Sequence, residues 1–182
     1  MKRLQADHKA AGNAATLPAD AIQRKMLQFL VFRLGADEFG LPIEVVDEVT
    51  ELPVQVARVP KTPKFLEGVI NLHGEVVPVV DQRKRFGMPK AENSDKRRLI
   101  VVKTDRHRAG LIVDSVSEVL RSAADAVEPP PDLTEDSSRL IQGVINLESS
   151  ARIILVLEPG ELLTRAERGL LDAFEAKSGR AQ

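Results

Sequence analysis

The 182-residue sequence contains no cysteine, tryptophan or tyrosine, and aromatic side chains make up only 3% of it. The lack of cysteine excludes disulfide bonds, thiolate nucleophiles and sulfur-ligated zinc or iron. No apolar run approaches the roughly 18 to 20 residues that a membrane-spanning helix needs, and the first residues lack the apolar segment of a signal peptide. The composition predicts a soluble, cytoplasmic chain with an aliphatic core and no direct membrane insertion.

Neither sign of charge dominates, since 26 Lys and Arg residues face 27 Asp and Glu residues. A dedicated nucleic-acid-binding protein needs a basic surplus to displace counterions from phosphates. The run RKR at 83–85 is the best hint of such binding, but no aromatic stacking residues accompany it. We therefore expect no nucleic-acid partner and interpret this run as a solvated strand end.

Residues suited to catalysis or metal binding are few and scattered. The three histidines, His8, His73 and His107, lie at no metal-ligand spacing. Ser115 and Ser117 lack the G-x-S-x-G context of a nucleophile elbow, and no phosphate-binding loop occurs. The sequence predicts no catalytic residue, no metal site and no cofactor, and hence a protein that is not an enzyme.

What the sequence does contain is an internal repeat. The phrase GVINL occurs at 68–72 and again at 143–147, and residues 29–49 align without a gap with residues 99–119. The offsets, 75 residues (68 to 143) and 70 residues (29 to 99), are nearly equal. The aligned identities are Val31 with Val101, Gly40 with Gly110, Leu41 with Leu111, Val46 with Val116, Glu48 with Glu118, and Val49 with Val119. The chain is therefore a duplicated unit of about seventy residues.

Each unit has the pattern of a hairpin, a third strand, a connector, the GVINL strand and a last apolar strand. Short strands separated by turns favour small barrels, and the strand glycines Gly40 and Gly110 indicate sharp coiling or a bulge. We predict an all-β fold with two five-stranded barrels side by side. The first is expected mainly from residues 28–88 and the second mainly from residues 96–158.

The two termini are expected to differ from the barrels. Residues 1–27 are Ala-rich and polar, which predicts a flexible tail. Beyond Pro159 the apolar residues follow a helical period, which predicts a helix over 159–178 that packs on the barrels. Thr164 and Glu167 have the spacing of a capping box near its start. The apolar face of this helix comprises Leu163, Ala166, Leu170, Leu171 and Phe174.

Two barrels joined edge to edge leave a groove between them, and Val46, Val116 and Val119 are candidates to line it. Alternating valines are also typical of a buried strand face, and periodicity alone favours that interpretation. From its residues alone, the chain is predicted to be a two-barrel binding module.

Three segments resemble the CheW-like domain, the family of chemotaxis coupling proteins. They are FLVFRLGADEFGLPI (29–43), RVPKTPKFLEGVINLHGEVVPVVDQRKRFG (58–87) and GLIVDSVSEVL (110–120). The resemblance extends from about residue 28 to residue 172 and implies two SH3-like barrels of five strands. It also implies a non-enzymatic adaptor that stands alone, because the chain has no room for a kinase, phosphotransfer or receiver domain.

The resemblance implies two partners, the regulatory domain of a CheA-type histidine kinase and the cytoplasmic tip of methyl-accepting chemoreceptors. Such an adaptor holds both in a membrane-associated signalling array and lets the receptor control kinase autophosphorylation. The family's receptor-groove positions correspond here to Val46, Glu48, Gly68, His73, Val116, Val119 and Gly143. Its kinase-binding positions correspond to Phe39, Gly40, Leu41 and Pro42. The two groove glycines are expected to let a receptor helix approach the backbone closely, or else to be turn glycines.

His73 departs from the family pattern, which usually has Arg at this position. Arg is permanently charged, whereas His is mostly neutral near pH 7. If this position pairs with an acidic group on a partner, the contact is expected to be weaker and pH-sensitive. The departure also suggests a scaffold for a non-flagellar receptor array, such as one for surface motility. Independently of His73, a peptide-binding double barrel outside chemotaxis is a further alternative.

Overall fold

The computed structural model describes residues 24–52, 55–92, 95–104, 107–132, 134–163, 167–169, 172–173 and 176. This part of the chain is mostly β-strand, as predicted. Its strands are β1 (Met26–Leu34), β2 (Asp37–Pro42), β3 (Val46–Glu51), β4 (Leu66–Leu72), β5 (Glu75–Asp81), β6 (Arg98–Lys103), β7 (Arg108–Val113), β8 (Ser115–Ala123), β9 (Val127–Glu128), β10 (Ile141–Leu147) and β11 (Arg152–Leu157). Two short helices, α1 (Gln82–Arg85) and α2 (Glu135–Leu140), follow β5 and precede β10.

The strands form two sheets. A six-stranded sheet has the order β8-β1-β2-β11-β10-β9, and a five-stranded sheet has the order β3-β6-β7-β5-β4. The two-residue strand β9 is the additional member of the first sheet. Without it, both sheets contain five strands, so the prediction of two five-stranded units is confirmed.

The five-stranded sheet takes three of its strands (β3, β4 and β5) from residues 28–88, and the six-stranded sheet takes four (β8 to β11) from residues 96–158, but neither sheet is built from one repeat alone. Each sheet combines strands from both repeats, because the hairpins that open the repeats are exchanged. Hairpin β1–β2 joins the late strand β11, with Phe39 opposite Leu155 in a parallel ladder. Hairpin β6–β7 joins the early strand β5, with Leu111 opposite Val80. Strand pairing is a long-range choice, so consecutive strands need not share one sheet.

The two repeats occupy equivalent places in the two sheets. Gly40 of β2 lies opposite Val156, and its equivalent Gly110 of β7 lies opposite Val79. In the alignment of the repeats, β1 corresponds to β6 and β3 corresponds to β8. Apart from β9, each strand of one sheet therefore has its equivalent at the same place in the other sheet. The strand plan of each sheet is therefore repeated in the other.

Both faces of the central strands are buried, which explains their unbroken apolar runs. Along β1, Phe29 and Val31 pack inside the six-stranded sheet, whereas Leu30 and Phe32 face the other sheet. Their equivalents in β6 divide in the same way between the five-stranded sheet and the region between the sheets. The central cluster joins both sheets and contains Leu30, Phe32, Leu34, Phe39, Leu41, Leu66, Val80, Ile100, Val102, Ala109, Leu111, Val113, Leu157, Leu162 and Leu163.

The predicted strand bulges lie at different glycines. The β1–β2 and β6–β7 ladders run without a register shift past Gly40 and Gly110. Register shifts occur instead beside Gly68 in β4 and Gly143 in β10. A bulge increases local twist, so the two GVINL strands bend at equivalent points.

The ends of the described chain differ partly from the predictions. Strand β1 begins at Met26, inside the span expected to be tail, and residues 1–23 lie outside the described residues. A 3-10 turn at Pro159–Glu161 precedes helical backbone at 167–169 and 172–173. Thr164 and most of the predicted apolar helix face lie outside the described residues, namely Ala166, Leu170, Leu171 and Phe174. Among the described helices, none has the length and hydropathy needed to cross a bilayer.

Candidate partner-binding surface

Strands β3 and β8 are the pseudo-equivalent edge strands, and each begins where the chain passes from one sheet to the other. The 3-10 turn Ile43–Val45 before β3 packs against β1. Before β8, the backbone N–H of Asp114 donates to the carbonyl oxygen of Arg33 in β1, at 3.0 Å. The starts of both edge strands therefore lie beside β1, next to the central cluster.

Four valines follow these two strands on the face that points toward the central cluster. Val46 and Val116 are half-buried and pack against the cluster. Farther along, Val49 and Val119 have exposed fractions of 41% and 49%. They lie opposite the cluster residues Ile100 and Leu30, and directly opposed residues share a face. We call Val46, Val49, Val116 and Val119 the rim valines.

Val49 is a rim residue that the sequence prediction did not select. Its equivalent, Val119, was selected, and the two are paired in the alignment of the repeats. The signal was therefore present in the duplication itself. An exposed valine on one edge strand predicts an exposed valine on the other, because β3 and β8 are equivalent in the alignment of the repeats.

His73 has an acidic partner within the chain itself. It lies in the two-residue turn between β4 and β5, where φ is +51° for His73 and +89° for Gly74. These values fit a type I′ hairpin turn, which the backbone N–H of Gly74 supports by donating to Asn71 Oδ1 at 2.9 Å. The exposed ring places Nε2 3.3 Å from Glu48 Oε2. Two predicted receptor-groove residues, Glu48 and His73, are thus in contact.

The equivalent position in the six-stranded sheet holds a larger network. Arg152 donates to Glu118 Oε1 at 2.7 Å and to both carboxylate oxygens of Glu38, at 2.8 and 2.9 Å. Arg33 adds a contact of 3.2 Å to Glu38. Hydrogen bonds from Arg152 lower the pKa of the buried Glu38 carboxyl below its ordinary value, outweighing the opposite effect of burial. They also raise the pKa of Arg152.

The five-stranded sheet carries the same ion pair with its charges reversed. Arg108 is the repeat equivalent of Glu38, and it donates to Glu75 at 2.8 Å. Glu75 begins β5 as Arg152 begins β11, four residues before the equivalent valines Val79 and Val156. Arg108 also pairs with Asp47 of β3.

The two groove glycines accommodate backbone of this chain. A Cβ at Gly68, whose φ is +146°, overlaps the carbonyl oxygen of Ala57. A Cβ at Gly143 lies 2.6 Å from Val127 Cγ1 and 2.9 Å from the Glu128 carbonyl oxygen. Both glycines are buried. The close approach that glycine permits is therefore used internally, at equivalent places in the two repeats.

The predicted kinase-binding residues lie on β2, which is paired with β1 on one side and β11 on the other. Leu41 is fully buried, and Phe39 is 7% exposed. The Phe39 ring stacks on Phe32 and Phe86, with centroid distances of 5.6 and 5.4 Å. Gly40 is also buried, and Pro42 is half-buried at the lip of an open cleft. Only Pro42 of these four residues offers surface to a partner.

The basic run at 83–85 is engaged within the chain. Arg83 donates to Asp114 at distances of 2.6 to 2.8 Å. Lys84 pairs with Glu67, and buried Arg85 lies 3.6 Å from the buried Glu167. Each of the three side chains therefore has an internal carboxylate partner, and the run is not an open cationic patch.

Asp114 anchors the point where the chain passes from β7 to β8. Burial acts to raise the pKa of its carboxyl, but hydrogen bonds from Arg83 and from the Gly35 N–H lower that pKa overall. The ionised carboxylate thus ties β1, α1 and β8 together near the start of the rim. Among the described residues, no cluster of three or more His, Asp or Glu side chains is arranged to hold a metal ion.

The described fold consists of two β-sheets that exchange hairpins, with exposed valines on the edge strands β3 and β8. The CheW-like domain model matches residues 28–167, so the chain belongs to the CheW-like domain family. The structure resembles the crystal structure of scaffolding protein TtCheW from Thermoanaerobacter tengcongensis. The TM-score is 0.67 at 36% identity, over 74% of this chain and 85% of that one.

Similar sequences carry related names. The chemotaxis protein CheW of Klebsiella aerogenes is 32% identical over 80% of this chain and 86% of its own. That of Helicobacter pylori is 30% identical over 78% and 84%, respectively. Protein FrzA of Myxococcus xanthus is also 30% identical, over 78% of this chain and 88% of its own.

Proposed function

We propose that this protein is a non-enzymatic adaptor of chemotaxis signalling, which couples the cytoplasmic tips of chemoreceptors to a CheA-type histidine kinase. It acts in the cytoplasm, at membrane receptor arrays. The observation that carries the proposal is the family match over residues 28–167, together with apolar side chains exposed on both edge strands. Relatives named CheW and a solved scaffolding protein of the same fold support it.

The receptor tip is proposed to bind along the groove between β3 and β8. In this proposal Val46 and Val116, which pack against the central cluster, form the floor of the groove, and the exposed Val49 and Val119 form its rims. An apolar helix laid into such a groove removes the exposed valines from water, which contributes about 1 kcal/mol for each half-exposed valine. The Glu48–His73 contact fixes the end of the β4–β5 hairpin beside β3, whereas Gly68 and Gly143 act from within by shaping the strands.

The kinase regulatory domain is proposed to bind at the end of β2. Phe39, Gly40 and Leu41 are buried there, so they support the strand from within and do not contact the kinase directly. Pro42 reaches the surface beside Glu44, at the lip of the open cleft. Because β2 is paired with a strand on each side, its end is already ordered. Pro42 can therefore contact the partner with little loss of backbone conformational entropy in this chain.

Binding of a receptor-tip fragment and a kinase regulatory domain to the full chain tests the proposal. Val49→Asp and Val119→Asp should each weaken receptor-tip binding at least tenfold, because each places a charge in an apolar contact. Ile153→Asp is the matched control, since Ile153 is 59% exposed but lies on β11, outside the proposed groove. A folded wild-type protein that binds neither partner contradicts the proposal and favours a peptide-binding module outside chemotaxis.

A second candidate function is a scaffold for a receptor array that does not serve flagellar chemotaxis. The similarity to FrzA favours it, because that relative carries a different name from the CheW proteins. His73, which replaces the usual Arg, is a further departure from the common pattern. Disruption of the gene, followed by swimming and surface-motility assays, distinguishes the two: loss of surface spreading with normal swimming supports the second candidate.

A further inference from the structure

The six-stranded sheet has an open cleft at the end where β1 and β10 begin. Its volume is about 650 Å³. Four apolar side chains line it, and all belong to or pack against the apolar cluster inside this sheet: Leu27, Phe29, Val127 and Val156. Contact with another apolar segment removes both surfaces from water. A segment with apolar side chains therefore fits this cleft.

The five-stranded sheet has the equivalent cleft, and there the chain itself covers it. Residues that line the two clefts correspond in the repeats: Leu27 with Arg97, Pro42 with Ile112, Val127 with Val56, and Gln142 with Glu67. The segment that precedes β6 adds Met88, Lys90 and Ala91 to the lining, and the volume is smaller, about 450 Å³. The residues that lead into the opening strand of the second repeat thus close this cleft.

The corresponding segment of the first repeat comprises residues 17–22. It follows when the gapless alignment is continued toward the N-terminus, where these residues match residues 87–92. The described chain starts at the open cleft: Lys25 lines it, and its carbonyl oxygen accepts from the Ala124 N–H at 2.9 Å. Six extended residues reach about 20 Å. Residues 17–22 are therefore long enough to return across the cleft.

The side chains of the segment and of the cleft differ between the repeats in the same sense. In the covered cleft, Arg97 donates to Asp81 at 2.6 Å. Leu27 stands in place of Arg97 in the open cleft, and Ile22 stands in place of Glu92 in the segment. Polar groups on both sides are thus replaced by apolar ones, which favours contact between the two in water.

We propose that Leu17 and Ile22 of this chain fill the open cleft and compete there with the kinase regulatory domain. The competition rests on the proposed function, which places the kinase at Pro42 on the lip of the same cleft. Burial of one Leu or Ile side chain changes an equilibrium constant by about tenfold or more. Ordering of the segment offsets part of this gain, so the kinase displaces the segment and the contact acts as a reversible cover.

Disulfide formation in the full chain tests the docking, because the sequence contains no cysteine. The pair Asp20→Cys with Gln142→Cys joins the segment to an exposed position that lines the cleft. The control pair, Asp20→Cys with Glu67→Cys, uses the equivalent position of the other cleft. In a glutathione redox buffer the first pair should close at least about fivefold faster, because docking raises the effective concentration of its thiols.

Addition of Ile22→Asp to the first pair is the decisive comparison. It should lower the closing rate about fivefold, because a carboxylate in the apolar cleft opposes docking. A segment that only collides with the cleft keeps its rate, and that result overturns the proposal. Disulfides between copies, in a mixture of two proteins with one of the cysteines each, would make a second copy the occupant and also overturn it.

Binding of the kinase regulatory domain tests the competition. Leu17→Asp with Ile22→Asp should raise its affinity about threefold or more and leave receptor-tip binding unchanged. Leu4→Asp with Ala10→Asp adds the same charge outside the segment and serves as the matched control. Unchanged kinase affinity overturns the competition. If neither wild type nor the variant binds the kinase domain, the proposed function fails, whereas the disulfide rates still decide the docking.

Discussion

The two sheets have the same strand plan, yet equivalent positions carry charges of opposite sign. The apolar positions agree because both faces of the central strands are buried, where volume and shape are constrained. Charged positions at the ends of strands are constrained only as pairs, so both members can change sign together. The equivalent residues of opposite charge are Glu38 and Arg108, Arg152 and Glu75, and Glu51 and Arg121.

The two equivalent ion pairs also differ in burial. The Glu38 side chain is 6% exposed, whereas that of Glu75 is 50% exposed. Water screens the exposed pair and leaves the buried one strongly coupled. A duplicated fold can in this way keep one architecture while its two sheets acquire ion pairs of different strength and different surface charges.

The largest effect is expected at the glycines of the two GVINL strands. Gly68→Ala combines a positive φ with overlap on the Ala57 carbonyl and should destabilise the protein by about 4 kcal/mol. Gly143→Ala has only the steric overlap and should cost about 2 kcal/mol. Gly74→Ala, where φ is positive but no atom lies within 4 Å, should cost about 1 kcal/mol. Urea denaturation measures all three, and equal costs at Gly68 and Gly143 would contradict the difference.

The second-largest loss of stability is expected at the equivalent ion pairs Glu38–Arg152 and Glu75–Arg108. Glu38→Gln removes the buried carboxylate that holds Arg152 and should cost about 2 kcal/mol of unfolding free energy. Glu75→Gln in the five-stranded sheet should cost about 0.5 kcal/mol or less, because that carboxylate is largely solvated. Thermal unfolding of both variants measures whether the loss of stability in Glu38→Gln exceeds that in Glu75→Gln. A larger cost at Glu75 would show that solvent screening does not distinguish the two pairs.

The same pair makes stability depend on pH. Because the folded-state pKa of Glu38 is lowered, its contribution is fully present above the unfolded value of about 4.3. It is lost as the pH falls through the lower folded value. The difference in unfolding free energy between wild type and Glu38→Gln should therefore shrink as the pH falls below about 4. Denaturation at pH 7, 5 and 3 measures this, and a difference independent of pH would exclude the ionised carboxylate as its cause.

The smallest expected effect is an increase in the free energy of unfolding. Gln82, which follows β5 in the five-stranded sheet, is fully buried, and neither atom of its amide has a hydrogen-bond partner in the described structure. Gln82→Met removes the unsatisfied amide while nearly preserving side-chain length, and should stabilise the protein by about 1 kcal/mol. Gln142→Met, at an exposed position of β10, is the control and should change stability little. A loss of stability in Gln82→Met would contradict the prediction.

Most errors in the sequence interpretation concern which strand meets which. The order of hairpin, third strand and GVINL strand was correct for both repeats, because turn residues and apolar runs are local signals. The exchange of hairpins was missed, since no local signal distinguishes β5 beside β7 from β5 beside β2. The burial of Phe39 and Leu41 was missed for the same reason: a hairpin strand becomes central only when β11 joins its free edge.

The duplication, the strand content and the family were set by the sequence itself, since the repeat is carried by the order of residues and the strands by local propensity. Tertiary structure decided which residues became surface. It buried three of the four predicted kinase contacts, filled the space beside Gly68 and Gly143 with this chain's own backbone, and left Val49 and Val119 exposed. The physical reason is that burial depends on ladders between residues distant in sequence, whose formation balances loop-closure entropy against the apolar area removed from water.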